Sequence, residues 1–260
     1  MKYRISLALV CLILIAHAGT PAGWSVSPFE QKVFIQNNGQ FIPKAEGITS
    51  PVLFGASTGG VELYFTNSGL IYEHNEWLRD KEREEEENNA EENEDPDRKN
   101  MKLVTTSLAM QWIGSNPLCT IVGEKSVETY FTYGTVPGAT IRAGAFRIIK
   151  YINLYNNIDV EYYLPEDKQG IKYSIIVKPG GDPSQIKMRF SGEQSLALNS
   201  GDLVIQSMFG DVIDHKPFTY CEPLRNEVTS AFVVADNEVT FDLGSYDHSS
   251  TLIIDPCSIA

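Results

Sequence analysis

Between Phe146 and Phe190 the chain alternates apolar and polar residues in short runs separated by turn formers. In the run Ile171 to Lys178, Ile171, Tyr173, Ile175 and Val177 fall on one face of an extended chain, and Lys172, Ser174 and Lys178 fall on the other, with Ile176 the one exception. The same spacing returns in Ile186, Met188 and Phe190 against Lys187 and Arg189. Successive side chains of a strand point to opposite faces, so a period of two predicts a sheet with a buried side and a wet side. Lys178-Pro179-Gly180-Gly181-Asp182-Pro183 interrupts the pattern. Proline presets φ there and glycine accepts positive φ, so the segment reads as a rigid turn between strands rather than a ligand loop.

The pattern extends in both directions. Upstream, Val33 to Ile35, Val52 to Ala56, Val61 to Thr66 and Leu70 to Tyr72 read as strands, punctuated by Asn38-Gly39 and Asn67-Ser68-Gly69. In the third of these, Val61, Leu63 and Phe65 face one way and Glu62, Tyr64 and Thr66 the other. Leu108, Met110 and Trp112 alternate with Ala109 and Gln111, and Ile121-Val122 and Val127 to Tyr133 follow. Downstream, strands are predicted at Leu196 to Leu198, Leu203 to Gln206, Val212-Ile213, Val228 to Val234, Val239 to Leu243 and Leu252 to Ile254. Short strands at near-regular spacing predict an all-β, antiparallel, two-sheet sandwich-like architecture, and the length has room for two β subdomains.

Two segments depart from this pattern. Residues 79–99, RDKEREEEENNAEENEDPDRK, hold eleven acidic and five basic residues, a net of −6, with only Ala90 and Pro96 apolar. Such a segment cannot bury enough surface to offset its ordering entropy, and it predicts a solvated, flexible insertion. A calcium- or partner-binding tail is the sharper reading, less favoured because the acids lack the interleaved Asp, Asn and Gly of a calcium loop. The other departure is the N-terminus, where Lys2 and Arg4 precede an apolar run from Ile5 to Ala16 and then Ala16-His17-Ala18. This is the layout of a cleaved signal peptide over residues 1–18, followed by a leader at 19–32 and a β-rich domain at 33–257. The run is short for a membrane anchor, which needs about 20 apolar residues, so no transmembrane segment is expected after cleavage. A lipid-anchored reading would use Cys11, but Val10 stands where a small residue is needed. The expected destination is the cell surface, the envelope or the medium.

The formal charge of −13 becomes −15 once Lys2 and Arg4 are removed. An acidic product of this kind argues against nucleic acid as a partner. Export permits disulfides, but Cys119, Cys221 and Cys257 allow at most one bridge and leave its pairing open. No CxxC pair, HExxH, GxSxG or phosphate-binding glycine loop is present, and His74, His215 and His248 are widely separated. No cofactor or metal site is therefore expected.

Two weak constellations remain. Asp159 and Glu161 are two apart on one strand face, about 7 Å from each other, within reach of the spacing of a glycosidase pair. The plainer reading makes them solvent-side partners of Lys172 or Arg189 on neighbouring strands. The rings of Tyr130, Phe131, Tyr133, Tyr162 and Tyr163 would suit a glycan-stacking platform, if exposed together; aromatics in strands otherwise pack in the core.

Several segments, in order, carry a family resemblance: FIQNNGQF, GGVELYFTNSGLIYE, MQWIGSNPLCTIVGE, YINLYNNIDVEYY, IKYSIIVKPGGDPSQIKMRFSG, LNSGDLVIQSMFGDVIDHKPFTY and VTFDLGSYDHSSTLIIDP. Together they resemble the N-terminal β-rich domain of unknown function that precedes SBBP-type β-propeller repeats in exported bacterial proteins. The resemblance implies an exported, non-catalytic module whose neighbours are propeller repeats or immunoglobulin-like domains, and it supplies no catalytic residues. It runs to Pro256 of a chain ending at Ala260, which suits either a standalone copy or the head of a longer protein. The first expectation for function is thus a structural or interaction module, with a glycan-binding module and a glycoside hydrolase as alternatives.

Overall fold

A computed structural model describes residues 32–43, 50–79, 101–136 and 139–259. The predicted signal peptide, all of the leader but Lys32, and all of the acidic insertion but Arg79 lie outside the described residues.

Within them the protein is all-β, with one 3-10 turn at Pro183–Gln185 and no α-helix. The N-terminal strands are β1 (Phe34–Gln36), β2 (Val52–Thr58), β3 (Val61–Thr66), β4 (Gly69–Arg79) and β5 (Met101–Trp112). Next come β6 (Thr120–Ser126), β7 (Phe131–Val136), β8 (Ala139–Ala143), β9 (Ala145–Tyr155), β10 (Ile158–Tyr163) and β11 (Ile171–Val177). The C-terminal part holds β12 (Met188–Ser191), β13 (Ser195–Asn199), β14 (Asp202–Ser207), β15 (Gly210–Glu222), β16 (Asn226–Val228), β17 (Ser230–Ala235), β18 (Glu238–Leu243) and β19 (Thr251–Ile259). No helix among the described residues is long and apolar enough to cross a membrane.

All pairing is antiparallel. From β1, one run passes in chain order through β2, β3, β4 and β5, then to β12, β18 and β17. From the same β1, a second run passes through β9, β10, β11, β19, β15, β14 and β13. β6 lies on the opposite side of β9 from β10, since Ile148 faces Glu124 on one flank and Tyr163 on the other. The predicted antiparallel strands are therefore present. The two runs, however, are not separate sheets, because β1 hydrogen-bonds to both and joins them into one large, nearly closed sheet; the β7–β8 hairpin is a second, small one.

The alternation read from the sequence sets which side chains enter the core. Along β11, Ile171, Tyr173, Ile175 and Val177 are buried while Lys172, Ser174 and Ile176 are only half-buried. Ile186, Met188 and Phe190 are buried with them. An aromatic spine crosses the interior, from Phe34 to Phe65 (5.3 Å between ring centroids), Phe65 to Tyr162 (5.3 Å), Tyr162 to Tyr173 (5.8 Å) and Tyr173 to Trp112 (6.2 Å). The first, second and fourth of these are edge-to-face, and such contacts add about 0.5–1.5 kcal/mol each beyond area burial.

One outer face is also covered, which the alternation did not foretell. The β7–β8 hairpin brings Phe131 and Ala143 against Val33, Ile35, Phe41, Tyr64 and Ile71, forming a second apolar cluster. Tyr64, expected on a wet face, is buried for that reason. Phe41 lies over Gly55, where an added Cβ would stand 2.7 Å from the ring, so the glycine makes room for the packing. Thr66 is buried by a different cause, its hydroxyl tying the turn by donating to the Gly69 carbonyl and accepting from the Ser68 N–H. The stretch Val127 to Tyr133, read as one strand, is instead broken: β6 ends at Ser126 and β7 begins at Phe131.

Candidate functional site

Strand β10 shows how the sheet sorts its residues. Ile158, Val160 and Tyr162 enter the core, leaving Asp159, Glu161 and Tyr163 on the opposite side. Asp159 is nevertheless 2% exposed. Its Oδ2 lies 2.7 Å from Lys178 Nζ and 3.7 Å from Lys150 Nζ, and its Oδ1 accepts the Asn153 N–H at 2.9 Å. That last bond caps an irregularity in the β9–β10 ladder, where Asn153 adopts φ of 54°. Glu161 accepts from the same Lys150 Nζ at 2.6 Å.

The two carboxylates thus share one ammonium, which Glu161 and Asp159 hold above its ordinary pKa against the opposing effect of burial. The expected partners need correction. Lys172 stands opposite Tyr163, and Arg189 pairs with Glu238 at 2.6 Å; the cations that serve Asp159 and Glu161 are Lys150 and Lys178. Lys150 is the residue directly opposite Glu161 on β9, a register relation that no local sequence signal reveals.

The five candidate rings are dispersed. Tyr162 and Phe131 are buried, in the main core and under the small hairpin respectively. Tyr133 is half-buried with its ring 5.7 Å from Phe41, and burial pushes its hydroxyl up to about 12. Tyr130 is exposed, but the Arg142 guanidinium lies over its face at 4.5 Å. Tyr163 lines an open concavity.

That concavity is an open groove of about 760 Å³ at the ends of β6, β9, β10 and β11 and along the 164–170 loop, a size typical of ligand sites. Its cations are Lys125, Arg147, Lys168 and Lys172, and its acids are Glu161, Glu166 and Asp167. Lys172 Nζ stands 5.8 Å from the Tyr163 ring centre. Lys125 has φ of 51°, a left-handed conformation that costs a non-glycine residue about 1 kcal/mol or more. The loop wall is held from beneath. Lys32 Nζ donates to the carbonyls of Pro165 and Lys168, each at 2.5 Å, and the Gly170 N–H donates to Thr58 Oγ1 at 2.8 Å.

Other titratable groups have structural partners. His215 Nδ1 lies 3.1 Å from Asp202 Oδ2, while His74 stacks on Phe209 and His248 lies tilted against Tyr246. Asp202 is held below the usual carboxylate range by the Lys216 N–H and by His215. Inside the core, Tyr173 Oη donates to Asp214 Oδ2 at 2.5 Å beside a void of about 10 Å³, room for about one water. Asp214 follows the inward Val212 at the strand period, the one signal that could have found it. Cys119 and Cys221 are unbridged. No group of three metal-ligating side chains occurs among the described residues.

Residues 34–257 match the family described as Domain of unknown function (DUF7948), and the chain belongs to that family. Neither the curated proteins nor the solved structures contain a match to it.

Proposed function

We propose that the chain is an exported, non-catalytic β-rich module with a structural or interaction role, in which the layers joined at β1 act as a two-sheet sandwich. Export rests on the N-terminal Lys2 and Arg4, the apolar run and Ala16-His17-Ala18. The neighbours proposed for it are propeller repeats or immunoglobulin-like domains of a longer protein.

The observation that carries the non-catalytic reading is the bridging ammonium of Lys150. A hydrolytic pair needs one carboxyl to give a proton and the other to act as base or nucleophile. Here both acids share one cation, and the more buried of them also binds Lys178 and a backbone N–H. Those contacts commit both carboxylates to tying β10 to β9 and to the turn after β11, a structural use that leaves neither one free to face a substrate. A glycan-binding reading is favoured by a separate observation, the Tyr163 groove, and gives the interaction role a place.

Two measurements test this. On expression with its own N-terminus, the protein is expected outside the cytoplasm with a mature start near Gly19 by mass spectrometry; an intact Met1 in the cytoplasm defeats the export reading. Against a panel of chromogenic glycosides no turnover is expected. Turnover that disappears in the D159N/E161Q variant would reinstate the hydrolase.

A further inference from the structure

The groove at Tyr163 is an inversion of local charge in an acidic chain, and we infer that it binds an acidic polysaccharide, a polymer of sugar rings carrying spaced carboxylates. This rests on the interaction role proposed above and names its ligand. Lys125, Arg147 and Lys168 enter no ion pair among the described residues, although the chain carries a formal charge of −13. Leaving three cations unpaired around one concavity, with one of the three in a left-handed backbone conformation, is what an anion site requires and what solubility does not.

The sign pattern selects the class of anion. Glu166 and Asp167 line the same groove and call for hydrogen-bond donors on the ligand, which the phosphodiester-deoxyribose backbone of DNA lacks. A sugar polymer bearing one carboxylate among several hydroxyls suits the mixture, with Arg147 and Lys168 taking the carboxylate and Glu166 and Asp167 accepting from hydroxyls. Tyr163 supplies an apolar ring beside which a pyranose packs, and Lys172, 5.8 Å from the ring centre, adds positive potential there. Lys32 and Thr58 hold the loop wall in place without ligand, so little ordering entropy is lost on binding.

The test is affinity electrophoresis and calorimetry of the full-length chain with polygalacturonate, with neutral dextran, dextran sulfate and single-stranded DNA as comparison polymers. Retardation by polygalacturonate and none by neutral dextran or DNA is expected. The R147Q/K168Q variant, altered only at exposed positions, is expected to bind about tenfold more weakly, a change of about 1.4 kcal/mol, with an unchanged thermal midpoint. Equal binding by that variant, no retardation by polygalacturonate, or binding to DNA or dextran sulfate as tight as to polygalacturonate overturns the inference. The first outcome takes the ligand out of this groove, the second removes the ligand, and the third reduces the groove to a general anion exchanger. All three leave the export and turnover measurements, and so the broader reading, to stand or fall separately.

Discussion

Tyr162 and Tyr163 are neighbours in sequence and occupy opposite surroundings. Tyr162 is 1% exposed, its ring within 6 Å of Phe65, Tyr151 and Tyr173, its hydroxyl accepting from Trp112 Nε1 at 3.2 Å. Burial above all raises that hydroxyl well above its ordinary pKa, and the neighbouring Tyr151 and Tyr72 add to the rise. Tyr163 sits half-buried in the groove beside Lys172. Residue type cannot be the cause. Register is: Tyr162 faces Ile149 and Tyr173 across its two neighbouring strands, whereas Tyr163 faces Ile148 and Lys172. A slip of one position would exchange every member of the two sets, so the interior fixes what the outer surface can present.

The largest way to break this contrast is Tyr162→Ala. Truncating a fully buried aromatic costs about 3–5 kcal/mol. For a domain of this size that lowers the thermal midpoint by about 2–4 °C per kcal/mol. Calorimetry checks it. A loss below about 1 kcal/mol would mean that the spine is not the centre of the fold.

The contrast also marks what the sequence made legible. The inward sets of β11 and of Leu108, Met110 and Trp112 followed directly from their period, because hydrophobicity and strand geometry agree there. So did the turn at Gly180, which has φ of 81°, with Asp182 capping the 3-10 turn through the Ser184 N–H. Whatever depended on which strand lies beside which was hidden. The sequence placed Asp159 and Glu161 on a shared face, but their cations come from β9 and from beyond β11, positions set by long-range pairing. The second apolar cluster was hidden similarly, since nothing local says that Phe131 will fold over Val33 and Ile35. The groove was half legible: Tyr163 was a candidate, whereas Arg147 and Lys168 are ordinary surface cations until the loop brings them together.

A smaller perturbation targets the outer face alone. Replacing both Lys150 and Lys178 by Met leaves Asp159 buried with only a backbone donor. The expected cost is about 2 kcal/mol by urea unfolding, less than the 3–5 kcal/mol of a fully buried pair because the lysines are partly exposed. The pH dependence follows from Lys150, whose pKa the folded state raises. Its contribution is complete below the unfolded lysine value of about 10.4 and fades as pH rises through the folded value. The gap between wild type and Lys150→Met should therefore hold steady from neutral pH to about 10 and narrow above. A gap that widens in alkali would contradict the bridging role.

The smallest stability effect is the most informative. Tyr163→Ala truncates a half-buried ring at a surface groove, so unfolding free energy should change by about 1 kcal/mol or less. Set against Tyr162→Ala, that is a several-fold difference from the same substitution one residue away. If the groove is a binding surface, the order reverses for ligand: Tyr163→Ala should weaken retention on polygalacturonate by about twofold to tenfold, since contact with one aromatic ring contributes about 0.5–1.5 kcal/mol. A conservative Tyr163→Phe change retains the ring and should retain most of the binding. A protein that loses stability at Tyr163 but binds unchanged would show that the ring packs the loop rather than meets a sugar, and the two faces of β10 would then serve the fold alike.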